Sequence, residues 1–329
     1  MTSIDTSEQF LALPDGRTLA YCESGVRESN ILVLFVHGLF SVGRADRERS
    51  VFRDAGVHVV SPTLPGFGNS SDRPTTDPYA VTLANDMTAL IEHVHPDDSE
   101  DLRIYIGGGS YGTVGAQILY GLPFDVFPYG KNIIGVVLLG PLSPFRYHRD
   151  YTKGMTWVNY FGVGPPSQII PFRLIQRMVA MVMGMKFKTV EQAEMFLRKM
   201  YFKTAGEEEK ANFKKWQERE GMSEGQFERV MAENAVKSTK NWSGFMEVSD
   251  VLHSDWGFEP CKLDHAHCAR PIMIVAGRDD PLGSHMPTWL AENYRNSRLK
   301  WLQGGHISAA WEMDEIWKTF MEETQNNTE

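Results

Sequence analysis

The sequence predicts an α/β protein, a mostly parallel sheet with helices on both faces, and three observations carry that reading. Short apolar runs recur at residues 31–36, 57–60, 104–106, 133–139 and 271–275. They lack polar alternation, the mark of strands covered on both sides. Helix-length segments separate several of them, and strands alternating with helices favour parallel pairing. Turns carrying Ser, Asp and His follow three of the runs, at the carboxyl ends where open sheets of this kind bind ligands.

The elements follow in order. Residues 10–21 alternate around Pro14-Asp15-Gly16-Arg17, the turn chemistry of a hairpin. The run 31–36 ends in His37-Gly38-Leu39-Phe40, and residues 42–55 read as a helix leading to the strand at 57–60. Pro65-Gly66-Phe67-Gly68-Asn69-Ser70 forms a loop, and residues 80–93 an amphipathic helix. Ile104-Tyr105-Ile106 then runs into Gly107-Gly108-Gly109-Ser110-Tyr111-Gly112, with a helical segment at 113–119. After the strand at 133–139 the strand signal disappears until 271–275. The intervening stretch of about 120 residues is rich in Met and aromatics, with Leu174, Met178, Met181 and Met185 at helical spacing. It reads as a helical insertion. A strand at 298–302 leads into Gly304-Gly305-His306, and a helix at 309–323 closes the chain.

Composition narrows the functional classes. A chain of 329 residues, 42% hydrophobic and 23% charged, can form one large domain with an insertion. Its formal charge of -9 leaves no footprint for nucleic acid. Three cysteines, an odd number, suit a reducing compartment, and the polar start lacks the regions of a signal peptide; a cytoplasmic location is expected. Apolar runs such as 133–139 and 178–185 are too short to span a bilayer, so no stable membrane insertion is expected. The oligomeric state is left open.

Ser110 is the first candidate for chemistry. Flanked by Gly108 and Gly112 between a strand and a helix, it fits a sharp turn that holds its hydroxyl out at the sheet end, beside unpaired helix N–H groups. A serine hydroxyl is a poor nucleophile without a general base, and the base needs an orienting carboxylate. The run 271–275 ends in Ala276-Gly277-Arg278-Asp279-Asp280, and the next strand in His306. The order is serine, carboxylate, histidine.

On these residues the chain resembles the α/β-hydrolase superfamily, in the branch of esterases, lactonases, carbon-carbon bond hydrolases and proline-iminopeptidase-like enzymes. The matching pieces are His37-Gly38, Pro65 to Ser70, Gly108 to Gly112, Gly277 to Asp280 and Gly305-His306, at both ends of the chain but not its middle. The resemblance implies an eight-stranded sheet with core segments 1–141 and 263–329 around a helical cap at 142–262. It implies Ser110 as nucleophile, His306 as base and Asp280 as acid, chosen over Asp279 because the family's acid stands three residues after such a glycine. The oxyanion would be held by the backbone N–H of Tyr111 and one from Leu39 or Phe40. No cofactor and no metal is implied. His37 reads as a brace for its loop. Thr63 and Gly109 depart from the residues many relatives carry, an acid and a histidine. A serine nucleophile argues against the aspartate-based dehalogenases and epoxide hydrolases of the superfamily.

The expected activity is hydrolysis of a carboxylic ester or lactone of a small apolar molecule, with Met178 and Met181 lining the substrate cavity. The alternatives are an iminopeptidase-like aminopeptidase, using a cap carboxylate to take the substrate's amine, and a non-hydrolytic binding protein on the same fold. Cys261 to Cys268 holds soft and imidazole donors in a spacing that fits no common zinc motif, so it reads as a loop with His265 and His267 as ordinary polar residues. Glu207-Glu208-Glu209-Lys210 reads as a solvated helix face.

Overall fold

The computed structural model describes residues 7–45, 49–96, 101–202 and 205–326. Its strands are β1 (Gln9–Ala12), β2 (Thr18–Gly25), β3 (Ile31–Val36), β4 (His58–Pro62), β5 (Arg103–Gly109), β6 (Ile133–Leu139), β7 (Ile272–Gly277) and β8 (Ser297–Leu302). They form one eight-stranded sheet in the order β1-β2-β4-β3-β5-β6-β7-β8. The β1–β2 hairpin and its pairing to β4 are antiparallel; every other pairing is parallel. The order reverses at β3, with β4 on one side and β5 on the other. A crevice therefore opens between the carboxyl ends of β3 and β5.

The helices in chain order are α1 (Ser50–Asp54), α2 (Tyr79–Val94), α3 (Gly112–Gly121), α4 (Trp157–Val163), α5 (Pro166–Ile169), α6 (Leu174–Lys186), α7 (Val190–Leu197), α8 (Glu207–Arg219), α9 (Gln226–Ser238), α10 (Ser243–His253), α11 (His265–Cys268), α12 (His285–Asn293) and α13 (Met313–Asn326). Alternate strand residues explain why both faces are covered. Leu32, Leu34, Ile104, Ile106, Val136 and Ile274 point into one core with α2, α3 and α12. Val33, Tyr105, Val137 and Val275 point into the other, where α1 supplies Phe52 and α13 supplies Ile316, Trp317, Phe320 and Met321. Trp317 is fully buried, a side chain whose truncation to alanine costs about 3–5 kcal/mol in such a setting.

Between β6 and β7 the described residues are helical and irregular, without a strand. Part of this insertion has its own small core, Met183, Phe187, Ala193, Leu197, Ala232 and Ala235 from α6, α7 and α9, with Phe187 just beyond the end of α6. Helix α10 instead adds Phe245, Val248, Val251 and Leu252 to the main core. Leu142, Phe145 and Tyr151 join the same core from its earlier end, so the insertion is anchored at both ends.

Three local expectations are corrected. Of residues 42–55, only Ser50–Asp54 are α-helical; 46–48 lie outside the described residues. The Gly43 carbonyl, which a helix would use, accepts from Cys22 Sγ (3.4 Å), and the Gly43 N–H donates to Thr63 Oγ1 (3.0 Å), so tertiary bonds hold this segment in an irregular path. Residues 308–310 form a separate 3₁₀ turn before α13. The stretch 261–268 contains α11, capped by Asp264, which accepts from the His267 N–H at 2.9 Å. His267 is buried and stacked on Phe124, with Nδ1 against Asp264 Oδ1 (2.7 Å) and Nε2 against Leu122 O (3.1 Å). Among the described residues no group of three or more His, Cys, Asp or Glu side chains is placed to hold a metal ion.

Candidate active site

Ser110 follows β5 on a turn where its φ is 52°, a left-handed conformation that costs a non-glycine residue about 1–2 kcal/mol. Four bonds hold it there. Its N–H donates to Leu139 O of β6 (2.8 Å), and its carbonyl accepts from the Thr113 N–H (3.0 Å) and Thr113 Oγ1 (2.6 Å). Thr113 Oγ1 also accepts from the Leu142 N–H (3.1 Å). The turn is tight because α3 leaves the sheet immediately: a Cβ at Gly112 would stand 2.1 Å from Val36 O. At Gly109 the same addition meets nothing within 4 Å, so the departure there is sterically open.

Strand ends bring the partners in. Asp280 follows β7 and His306 follows β8. His306 Nδ1 lies 2.7 Å from Asp280 Oδ2, and Nε2 lies 2.7 Å from Ser110 Oγ. A carboxylate only accepts, so Nδ1 carries the proton, and Nε2 accepts from the serine hydroxyl. Asp280 Oδ1 accepts from the Leu282 N–H (2.8 Å), which fixes the carboxylate plane. Its side chain is 6% exposed and that of His306 14%. Asp279 is exposed instead, its N–H spent on Gly304 O (3.0 Å). Gly140, with φ +57°, packs against the imidazole so closely that a Cβ there would lie 3.1 Å from His306 Cε1. Sequence reasoning missed it; a glycine directly after β6 was the signal.

The loop after β3 closes the other side. A Cβ on Gly38 would be 3.2 Å from Ser110 Cβ, so the backbone at Leu39 and Phe40 runs beside the serine. Phe40 has φ 55°, and its ring packs on Phe187 and Phe245 of the insertion. Tyr111 starts α3 with its side chain buried. Among the described residues no backbone carbonyl accepts from the N–H of Leu39, Phe40 or Tyr111. His37 braces this loop. Its Nε2 accepts from the Leu64 N–H (2.9 Å), so Nδ1 donates to Gly38 O (2.8 Å). Burial pushes its pKa down to about 4, and the Gly38 bond opposes this only in part.

Glu209 of α8 departs from the solvated face expected of it. Its neighbours Glu207, Glu208 and Lys210 are exposed, but Glu209 is buried, and its Oε1 accepts from the Gly305 N–H (3.0 Å) and Ser308 Oγ (2.8 Å). It grips the segment that carries His306. No pattern in four consecutive charged residues marks which one turns inward. Nearby, burial and the Asp280 charge push the Tyr201 phenol up to about 12, so it stays protonated. Met178 and Met181 are not brought to this group: they lie on the exposed side of α6, 59% and 68% accessible, while Met183 faces inward. A cleft between the β1–β2 hairpin and α2, lined by Leu13, Arg17 and Asp86, contains none of these site residues.

A serine on a strained turn after β5 thus stands hydrogen-bonded to an imidazole–carboxylate pair from the ends of β8 and β7. The Alpha/beta hydrolase family pattern matches residues 33–318, and the chain belongs to that family. In fold it is similar to a hydrolase from Pseudomonas aeruginosa PA01, at 17% identity and TM-score 0.58, over 96% of this chain and 98% of that one. An esterase from Exiguobacterium antarcticum is similar at 16% identity and TM-score 0.59, covering 97% of this chain and 100% of its own. A bromoperoxidase from Bacillus anthracis matches at 16% and TM-score 0.60, with the same coverage. No curated protein matches the sequence.

Two outcomes follow from this geometry. Gly112→Ala should destabilise the protein by about 3 kcal/mol or prevent folding, whereas Gly109→Ala should stay within about 0.5 kcal/mol, as read by urea denaturation. His37 is neutral when folded but titrates at its ordinary 6.5 when unfolded, so the unfolded state binds the extra proton and stability falls as pH drops from 6.5 towards 4. Between pH 7 and 5 that loss is about 2 kcal/mol, and urea curves of His37→Asn should show an acid slope shallower by about that amount.

Proposed function

We propose that this protein is a serine hydrolase that cleaves a carboxylic ester or lactone of a small apolar substrate. The single observation that carries the reading is the continuous hydrogen-bond chain from Ser110 Oγ through His306 to Asp280, 2.7 Å at each link. In this mechanism Ser110 Oγ attacks the carbonyl carbon while His306 Nε2 takes its proton. Asp280 holds the imidazole in the required tautomer and stabilises the imidazolium. The N–H groups of Tyr111 and of Leu39 or Phe40 receive the developing oxyanion. His306 then protonates the leaving oxygen, and a water deprotonated by the same nitrogen releases the acyl group.

The apolar preference is supported by the rings of Phe40, Phe187 and Phe245, which meet beside the oxyanion loop. Residues 142–262 would act as the cap over this site. An aminopeptidase would need a cap carboxylate free to take an ammonium group; Glu209 and Glu247 are already committed, to Gly305 with Ser308 and to Arg73. A cytoplasmic setting fits the odd number of cysteines, three in the chain.

A fluorophosphonate probe tests the nucleophile, followed by a panel of esters of increasing acyl size. Ser110→Ala should abolish labelling, and Asp280→Asn should slow it by roughly 10³-fold or more while Asp279→Asn changes it little. Unlabelled wild type in a demonstrably folded sample would sink the reading. The same assay reports on Glu209. Glu209→Leu strands the Gly305 donor, at a cost of about 1–3 kcal/mol, and should slow labelling at least tenfold, whereas Glu209→Gln keeps an acceptor oxygen and should restore most of the rate.

A further inference from the structure

Helix α6 is turned the wrong way round for a soluble protein. The residues it buries are Gln176, Ala180 and Met183. Leu174, Met178, Met181 and Met185 recur at spacings of three and four, so they form one stripe along the helix, and all four are exposed. The apolar surface continues onto the elements packed beside it. Trp157 on α4 is 77% exposed, and Phe172, in the turn before α6, is 84% exposed; Ile169 at the end of α5 is exposed as well. Exposed apolar residues scattered singly need no explanation, but a patch spread over neighbouring elements marks an interaction surface.

The charges bordering the patch say what it meets. From residue 151 to 190 the chain carries Lys153, Arg173, Arg177, Lys186 and Lys188 and not one acidic residue, within a protein of formal charge -9. Lys153 is paired with Asp150 and Arg173 with Asp250. Arg177, Lys186 and Lys188 are exposed and have no carboxylate within salt-bridge distance among the described residues. At 100° per residue, Arg177 and Lys186 stand on opposite sides of the stripe. Apolar side chains with an aromatic anchor, edged by unpaired cations, are the pattern of a helix lying in a bilayer interface. A second copy of this chain fits less well, because a two-fold contact sets a patch against itself and would bring these cations together.

We propose that the face formed by α4, α5 and α6 docks the protein peripherally on a membrane surface containing anionic lipid. The apolar stripe enters the boundary between headgroups and acyl chains, and Arg177, Lys186 and Lys188 meet the lipid phosphates and carboxylates. No segment crosses the bilayer in this arrangement; among the described residues no helix is long and apolar enough to do so.

Flotation of the full chain with vesicles tests the proposal, comparing phosphatidylcholine alone with phosphatidylcholine containing about one-third phosphatidylserine, the anionic lipid that such basic segments recognise. Wild type should float with the anionic vesicles and be released in about 1 M salt, where the screening length falls to about 3 Å. Arg177→Glu with Lys186→Glu should weaken binding by at least about fivefold for each cation removed, the factor that corresponds to about 1 kcal/mol per basic residue at an anionic surface. Ile169→Glu with Met185→Glu should abolish it. Both pairs change exposed positions, and an unchanged melting temperature confirms that each variant is folded. Wild type that stays off anionic vesicles, or an Ile169→Glu, Met185→Glu variant that floats like wild type, overturns the proposal. A wild type that ignores vesicles but sediments as a dimer, broken by the same pair, overturns it too and assigns the face to a second copy.

Discussion

The site depends on holding Ser110 in a backbone conformation that a serine avoids. The cost of its positive φ is about 1–2 kcal/mol, and it is offset by packing and bonds that admit no other path for the chain. β5 and α3 meet so closely at Gly108, where a Cβ would stand 2.5 Å from Gly112 O, that the turn has no room to relax, and the Leu139 carbonyl of the next strand takes the serine N–H. The sheet order does the rest. Because the order reverses at β3, the loop carrying Gly38 and the turn carrying Ser110 open into the same crevice, and β7 and β8 deliver Asp280 and His306 from the far side.

Much of this was legible in the sequence because it depends on features that are local. A strand covered on both faces has to be apolar throughout, and β3 and β6 lie where their apolar runs stand. Turn residues at strand ends are likewise placed by the chain's direction, which points to Ser110, His306 and the Asp279-Asp280 pair; Asp280 was chosen within that pair only by the family resemblance. What was not legible is set by partners distant in sequence. Where a helix was expected at 42–55, Gly43 is packed so closely on β4 that a Cβ there would stand 2.0 Å from Ser61 O, and its carbonyl accepts from Cys22, twenty-one residues back. Glu209 was unreadable for the same reason: its partners Gly305 and Ser308 lie almost a hundred positions away.

The methionine stripe of α6 marks a different limit. Helical spacing establishes that Leu174, Met178, Met181 and Met185 share a face, and it carries no information about what that face meets. An apolar face normally turns to the core, because burial is worth about 25 cal/mol per Å². In α6 the core side is supplied by small or flexible residues, Ala180 and Met183, with Gln176 beside them. The proposed lipid surface takes its identity from the basic residues around the stripe, Arg177, Lys186 and Lys188, which the apolar spacing alone does not single out.

The insertion touches the proposed site at two separate points. Phe40, in the loop beside the serine, packs against both the main core and the insertion's own small core. Glu209 bonds the segment that carries His306. A displacement of α8 would strand the Gly305 N–H and loosen the imidazole, while a displacement of Phe187 or Phe245 would remove the packing that holds Phe40 at its positive φ. The two contacts fail differently. In the proposed mechanism the first would disturb proton transfer at His306 Nε2, and the second the position of the backbone donors.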